Sequence, residues 1–379
     1  MVRKNYDSWT YKFEDGVESQ KEAEEMLGKV SSKIKSVSKL KYDEKPFEHW
    51  GMTSNEVRKI TEKKDHGLYD KRMTLKEAVA KFVKDGINLG VGGFVNTRVP
   101  AAIIHEIIRK GVKNLTLSFQ SNSICLEWLA GAMIVAPEKV SIKRVELAWW
   151  GYELIGIAPL WRYLVTNRIV ETDDYTNYGM SARFKAGAMG VPFIPVRDHG
   201  GSDMELVNRG KMIECPFTGQ NIYLLPACNP DVGIIHATAA DMYGNARIFG
   251  ALCTCPEIAV ASAYTIMTTE KIIPTETIRR YPNLTEIPYV CVDAVVEQPF
   301  GGYPGACYGY YWFDMDHIRM YRGICDEFRK TGNRDGLKRY FNDHIFGSET
   351  FDDFLEKAAG YKKLRYLKEM DGGQPIYTL

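Results

Sequence analysis

The chain has 379 residues, 45% hydrophobic and 26% charged, enough to bury a large core and too many for one minimal domain. Its 49 Lys and Arg against 48 Asp and Glu leave a formal net charge of +1, so no global field draws in nucleic acid or an anionic membrane surface. No run of about 18 apolar residues predicts a membrane span, and the opening MVRKNYDSWTYKFEDG lacks the apolar centre of a signal peptide, so a cytoplasmic protein is expected.

Residues 1–72 are rich in Lys and Glu, with helical spacing in ESQKEAEEMLGKVSSKI and a loop-like YDEKPFEHWG. They predict a mostly helical amino-terminal extension. From Met73 short apolar runs alternate with amphipathic helices, and residues 73–312 predict an α/β domain on an open, largely parallel sheet with flanking helices. Thr74 caps a helix through TLKEAVAKFVKDG that closes at Gly86, and INLGVGGF follows as a strand. Pro100 opens a helix through AAIIHEIIRKG. NLTLSFQ reads as a strand, SICLEWLAG as a helix, VELAWW as a strand and TNYGMSARFKAGAMG as a helix. NIYLLPA, DVGIIHA, PEIAVASAYTIMTT and YVCVDAVVEQ are apolar, β-branched runs that suit buried strands. Residues 313–379 are charged and helical, a segment expected to pack on the α/β domain.

Eight cysteines are too sparse for a disulfide scaffold and indicate a reducing compartment. Cys253 and Cys255 form a CxC pair without the further ligands of a zinc set, and His105-Glu106 fails as HExxH because Arg109 holds the last position, so no metal site is expected. Gly90-Val91-Gly92-Gly93-Phe94 lies between a strand and a helix, where backbone amides can approach a phosphate or an acyl oxygen. It fails as a dinucleotide fingerprint, since Val95 replaces the third glycine and the next strand ends in Gln120-Ser121 rather than an acid. A tight turn needing positive φ is the competing explanation.

Gln120, Ser121, Asn122 and Ser123 fall at the carboxyl end of the next strand, where open α/β sheets bind ligands, although any of the last three would also cap a helix. His199-Gly200-Gly201-Ser202-Asp203 suits a loop closing on a substrate, and lacks the GxSxG surroundings of a hydrolase serine. Asp231-Val-Gly-Ile-Ile-His236 reads as a buried strand followed by a turn at Asp241, Gly244 and Asn245.

TLKEAVAKFVKDGINLGVGGF, GAMGVPFIPV, DVGIIHATAADMYGNARI and VDAVVEQPFGGYPGACYG, in this order from about Met73 to Gly309, resemble the A subunit of family I coenzyme A (CoA) transferases, the glutaconate type in particular. The resemblance implies an open α/β subunit that pairs with a B subunit in a hetero-oligomer, takes an acyl-CoA thioester and a carboxylic acid as substrates, and holds no permanent cofactor. It also implies a covalent mechanism through a glutamate in a SENG-type segment of the B subunit. No such segment occurs here, and Glu127, Glu146 and Glu153 read as packing or surface acids. No catalytic residue is therefore expected in this chain. The expected substrate-binding residues are Gly92, Gly93, Phe94, Arg98, Gln120, Ser121, Asn122, His199, Gly200, Gly201 and Ser202, with glycine-turn amides holding an oxyanion and Arg98 meeting a distal carboxylate.

Two departures bear on chemistry. Tyr303 replaces the histidine of the family's GAHP, and Thr176-Asn177-Tyr178-Gly179 lacks the glutamate that related CoA-ester hydrolases carry there, though Asp173 and Asp174 are near. Hydrolysis, decarboxylation or a non-catalytic scaffold role are the alternatives. The aromatics Trp149, Trp150, Tyr152, Trp161, Tyr303 and Tyr308 suggest a bulkier acyl group than glutaconate, or else core packing.

Overall fold

Thr74 accepts the backbone N–H of Glu77, whose carboxylate accepts the N–H and hydroxyl of Thr74 in return, so two orphan donors at the helix start are satisfied. This reciprocal cap opens the first helix of the predicted α/β rhythm. A computed structural model of the chain describes residues 48–371. In chain order its elements begin α1 (Ser54–Thr61), α2 (Leu75–Phe82), β1 (Asn88–Val91), α3 (Ala101–Lys110), β2 (Leu115–Asn122), α4 (Ile124–Val135) and β3 (Ile142–Tyr152). They continue with β4 (Gly156–Ile157), α5 (Pro159–Thr166), β5 (Glu171–Asp174), α6 (Asn177–Ala188), β6 (Phe193–Val196), α7 (Met204–Val207), β7 (Lys211–Glu214) and β8 (Asn221–Pro226).

After β9 (Val232–Ala237), the short pair β10 (Ala239–Ala240) and β11 (Ala246–Arg247) leads to α8 (Cys255–Ala261), β12 (Tyr264–Thr269), α9 (Thr275–Arg280) and β13 (Ala294–Glu297). The chain then runs through α10 (Met315–Thr331), α11 (Asp335–Tyr340), α12 (Phe351–Ala358) and α13 (Gly360–Met370). Ile318, Tyr321, Cys325 and Phe328 of α10 join the largest core, together with α3 and α4 on one face of the sheet. A second core lies under α6 and α8.

The strands form an eight-stranded sheet in the order β13-β12-β9-β1-β2-β3-β4, with β5 also on β3. All its pairs are parallel except β3 with β4. Every residue of β1, β2 and β9 is buried, as expected of central strands covered on both faces. The chain steps outward from β1 through β2 and β3, then returns to place β9 on the other side of β1. That reversal is the topological switch point.

Three of the runs expected to be buried strands differ. YVCVDAVVEQ opens with a 3-10 turn at Tyr289–Cys291 and is a strand at Ala294–Glu297. The start of PEIAVASAYTIMTT belongs to the helix Cys255–Ala261, because Pro256 presets the first turn and Glu257 lies favourably in it. NIYLLPA is the middle strand of a separate antiparallel sheet, β6-β8-β7, and it alternates between exposed and buried because only one face meets the core.

Of the expected amino-terminal extension, residues 1–47 lie outside the described residues, as do residues 372–379 of the carboxy-terminal segment. The compact unit that holds the sheet begins at His49. Ser54 of α1 bonds the carbonyl of Val191 at 3.0 Å and Asn229 at 2.9 Å, and Trp50 covers the Arg209 guanidinium at 3.9 Å. Lys71 and Met73 exchange backbone hydrogen bonds with Val295 on the β13 edge, which closes that edge. Among the described residues no helix is long and apolar enough to cross a membrane.

Candidate active site

The loop after β1 is held by its own backbone. Gly92 N–H donates to the Ile234 carbonyl, Gly93 N–H to Cys255 Sγ at 3.1 Å, Phe94 N–H to the Thr97 carbonyl and Val95 N–H to Ser121. The glycine-turn amides expected to hold an oxyanion are thus already engaged. Gly93 has φ +87°, and a Cβ there would lie 2.8 Å from the Arg98 carbonyl, so only glycine fits. Val95 and Arg98 adopt φ 48° and 49°, and side chains rarely tolerate this left-handed region. The Arg98 amide donates to Ala306 and the Ser123 hydroxyl to Asn96, bonds that hold the loop in place.

Arg98 is 0% exposed. Its guanidinium donates to the Ala251 carbonyl and approaches Cys255 Sγ at 3.6 Å, so it lies behind the glycine turn rather than on a surface that a ligand reaches.

At the carboxyl ends of β2 and β3 a cavity of about 230 Å³ opens. Phe94, Trp149 and Tyr175 form its apolar walls, and Ser121, Thr176 and Asn177 present hydroxyl and amide groups. Glu153, exposed in the turn between β3 and β4, is the charged residue of the lining. Ser121 donates to Asn177 Oδ1 at 3.2 Å, which fixes the amide and leaves its N–H groups for a ligand. Asn122 turns away, donating to the Gly92 carbonyl at 3.1 Å and accepting the Ser123 amide. Gln120 is buried, with its Oε1 unpartnered among the described residues.

His199 is buried behind α6, its Nδ1 2.8 Å from Asp198, which also accepts the Thr176 hydroxyl. Gly179 permits this approach, since a Cβ there would stand 2.6 Å from His199 Cε1. The histidine therefore braces the start of α6. Gly200, Gly201 and Ser202 form an exposed turn in which the Ser202 hydroxyl donates back to the His199 carbonyl, and none of the three lines the cavity. Of the expected residues, the fold brings Phe94 and Ser121 to the cavity and sets the others behind or beside it. Trp149, Thr176, Asn177 and Glu153 complete it. Their common signal in the sequence is position in the last residues of β3 or just after β3 or β5, at the same carboxyl edge as Ser121.

Of the remaining acids near these strands, Glu146, Asp173 and Glu127 are committed elsewhere, and Asp174 at the end of β5 is exposed. Glu146 accepts Arg183 and Arg209 on one oxygen, each at 2.8 Å, and Ser118 and Cys228 on the other. Burial raises its carboxyl, but the fields of Arg183 and Arg209 and these two hydrogen bonds prevail and depress it to about 2. Asp173 accepts Arg209 and Tyr175. Asp174 is raised by burial and by the Asp173 charge. Glu127 caps α5 through the Leu160 and Trp161 amides and is pushed up to about 7 by burial.

The switch point itself is filled. His236 at the end of β9 bonds Glu270 at 2.7 Å and Thr268 at 2.9 Å, and Tyr311 and the Phe300 amide donate to Glu270. Cys307 lies near enough to make His236, Glu270 and Cys307 a potential ligand set, but 2.7 Å is the spacing of a shared proton, shorter than that between two ligands of one tetrahedral metal. Gly301 and Gly302 lie flat on the imidazole, where a Cβ would be 2.9 Å and 3.3 Å from ring atoms. Tyr303 is buried, donating to Asp314 at 2.9 Å, so this departure from the family pattern joins the carboxy-terminal helices to the core. Trp150 stacks on Trp161 at 4.8 Å in the core, and Tyr152 is buried.

Residues 72–298 match the coenzyme A transferase family, and this is more than half of the chain. The chain belongs to that family. The A subunit of glutaconate CoA-transferase from Acidaminococcus fermentans is 31% identical over 322 residues, covering 80% of this chain and 96% of the relative. The crystal structure of glutaconate CoA-transferase from that organism superposes with a TM-score of 0.72 at 30% identity, covering 81% of this chain and 98% of the other. The A subunit of 3-oxoadipate CoA-transferase from Pseudomonas knackmussii is 31% identical over 76% of this chain and 98% of the relative. A structure of the decarboxylase AibA/AibB is also similar, with TM-score 0.62 and 28% identity over 72% of this chain and 100% of the other. This CoA transferase subunit thus shares its architecture with relatives of more than one chemistry.

Proposed function

We propose that this chain is the pocket-forming subunit of a cytoplasmic, heteromeric CoA transferase, and that a B-type partner supplies the glutamate nucleophile. One observation carries the reading: the acids around the crevice on this chain are not poised to attack. Glu146 and Asp173 are locked in ion pairs, Glu127 caps a buried helix, and Glu153 has no donor among the described residues to orient it. Relatives that are A subunits of CoA transferases support the same division of labour.

In this scheme the partner's carboxylate adds to the thioester carbonyl and expels CoA thiolate, leaving an acyl-glutamyl anhydride. The thiolate then adds to the glutamyl carbonyl, which releases the first acid and leaves glutamyl-CoA for the second acid to reverse the steps. The Asn177 amide N–H groups, oriented by Ser121, face the acyl carbonyl, while Phe94 and Trp149 exclude water from the anhydride. The complex purified with its B-type partner should exchange CoA between an acyl-CoA and a free acid. Mass spectrometry after acyl-CoA alone should place the CoA adduct on the partner. An adduct on this chain, or no exchange across mono- and dicarboxylic acids, removes the proposal.

Glu153 favours a second reading on the same scaffold, hydrolysis or carbon–carbon cleavage, because a carboxylate facing a crevice can activate water. That reading predicts net loss of thioester with no acceptor acid present.

A further inference from the structure

Resting on the crevice as the acyl pocket, we propose that Glu153 selects the charge class of the acyl group, so that the enzyme takes a neutral, ring-bearing or branched acyl chain and rejects one ending in a second carboxylate. Two partly exposed aromatic walls, Phe94 and Trp149, offer flat apolar faces that suit a planar or bulky group, with Tyr175 packed beneath them against Arg183. The polar groups beside them are uncharged: the Ser121 and Thr176 hydroxyls give their protons to Asn177 and Asp198, and the Asn177 amide N–H groups are left to recognise one carbonyl rather than a second anion. Among the described residues Glu153 alone brings charge to the lining, and its sign repels a distal carboxylate.

The cation expected from the sequence to meet such a carboxylate is withheld by the fold. Arg98 is 0% exposed and directs its donors to Ala251 and Cys255 behind the glycine turn. Arg322 approaches the same β3–β4 hairpin, 4.0 Å from where a Cβ of Gly156 would sit, yet it is not part of the crevice wall. The turn that carries Glu153 is closed by the Ile155 amide donating to the Tyr152 carbonyl at 3.1 Å, and Gly156 takes the positive φ of 92° that lets β4 fold back on β3. The carboxylate is therefore presented from a hydrogen-bonded hairpin turn. At about 230 Å³ the crevice is smaller than a whole ligand pocket, as expected of one half of a site that a partner closes, and closure removes the water that would screen the repulsion.

The test uses the complex with its B-type partner, in wild-type form and with Glu153→Gln. Values of kcat/KM for CoA transfer from phenyl or branched neutral acyl-CoAs are compared with those from dicarboxylic acyl-CoAs of similar length. The wild-type complex should favour the neutral class by about tenfold or more, and Glu153→Gln should raise the dicarboxylate-to-neutral ratio by at least about fivefold. Equal or better use of dicarboxylates by wild type, or a ratio unmoved by the substitution, overturns the proposal. Calorimetric binding of non-reactive CoA thioethers bearing the same acyl groups reads the preference independently of transfer. If no CoA moves but the thioethers show the same order and the same shift, the transferase reading falls and charge selection stands. If the order is absent there too, both fall.

Discussion

Glu146 accepts two guanidinium groups and two further donors in a place water barely reaches, at 1% exposure. Removing its charge strands Arg183, itself 2% exposed, beside a neutral amide. Glu146→Gln should therefore cost about 3–5 kcal/mol in urea unfolding, the magnitude of breaking a buried pair from one side. The same group sets part of the acid limit. Its pKa falls from an ordinary 4.5 to about 2, so its contribution is present above pH 4.5 and lost as pH falls towards 2.

His105 and His317 act earlier. Burial lowers both from 6.5 to about 4, so their neutral forms stabilise the fold above pH 6.5 and this is lost as pH falls through 4. Each shift corresponds to about 3 kcal/mol. Glu127 works in the opposite sense: raised from 4.5 to about 7, it contributes fully below pH 4.5 and loses that contribution as pH rises through 7. Unfolding free energy followed between pH 7 and 4 should fall, and a His105→Gln, His317→Gln double variant should flatten that descent. An equally steep descent in the variant would assign the acid limit elsewhere.

Among the elements, the loop after β13 is the one whose shape depends most on small residues. Gln298 to Ala306 crosses the switch point, with Gly301 and Gly302 against His236 and the Arg98 amide donating to Ala306. A methyl group on Gly301 would lie 2.8 Å from the Gln298 carbonyl and 2.9 Å from the imidazole, neither of which is the free end of a flexible chain. Gly301→Ala should destabilise by about 1–3 kcal/mol through overpacking, measured as a lowered urea midpoint at unchanged m-value. The helices were more legible than this loop. Thr74 with Glu77 announces α2 within four residues, whereas a helix such as α8 hides in an apolar run that periodicity reads equally well as a strand.

For the molecule as a whole, residues 49–72 belong to the unit that holds the sheet. They cover Arg209 with Trp50, tie α1 to Asn229 and close the β13 edge through Lys71. A chain beginning at residue 73 should melt several degrees lower than one beginning at residue 48, because the half-buried Arg209 loses its cover and the β13 edge is unpaired. Equal melting temperatures would show that the segment adds nothing to the fold.

Alternation of apolar runs with capped helices, the continuous burial-type strands NLGV and VGIIHA, and four motifs in family order were determined by the sequence itself, because they rest on neighbours a few residues apart. The site was legible only in part. Phe94 and Ser121 reach the crevice, but the return of β9 to the far side of β1 brings the Gln298–Ala306 loop onto the switch point and moves the open crevice to β2 and β3. Arg98 meets Ala251, 153 residues away, and Ser121 meets Asn177, 56 residues away. Which charge is buried and which faces the ligand is fixed by such distant pairings, and a local pattern carries no record of them. The tertiary structure therefore buried Arg98 behind the glycine turn and left Glu153 on the crevice wall.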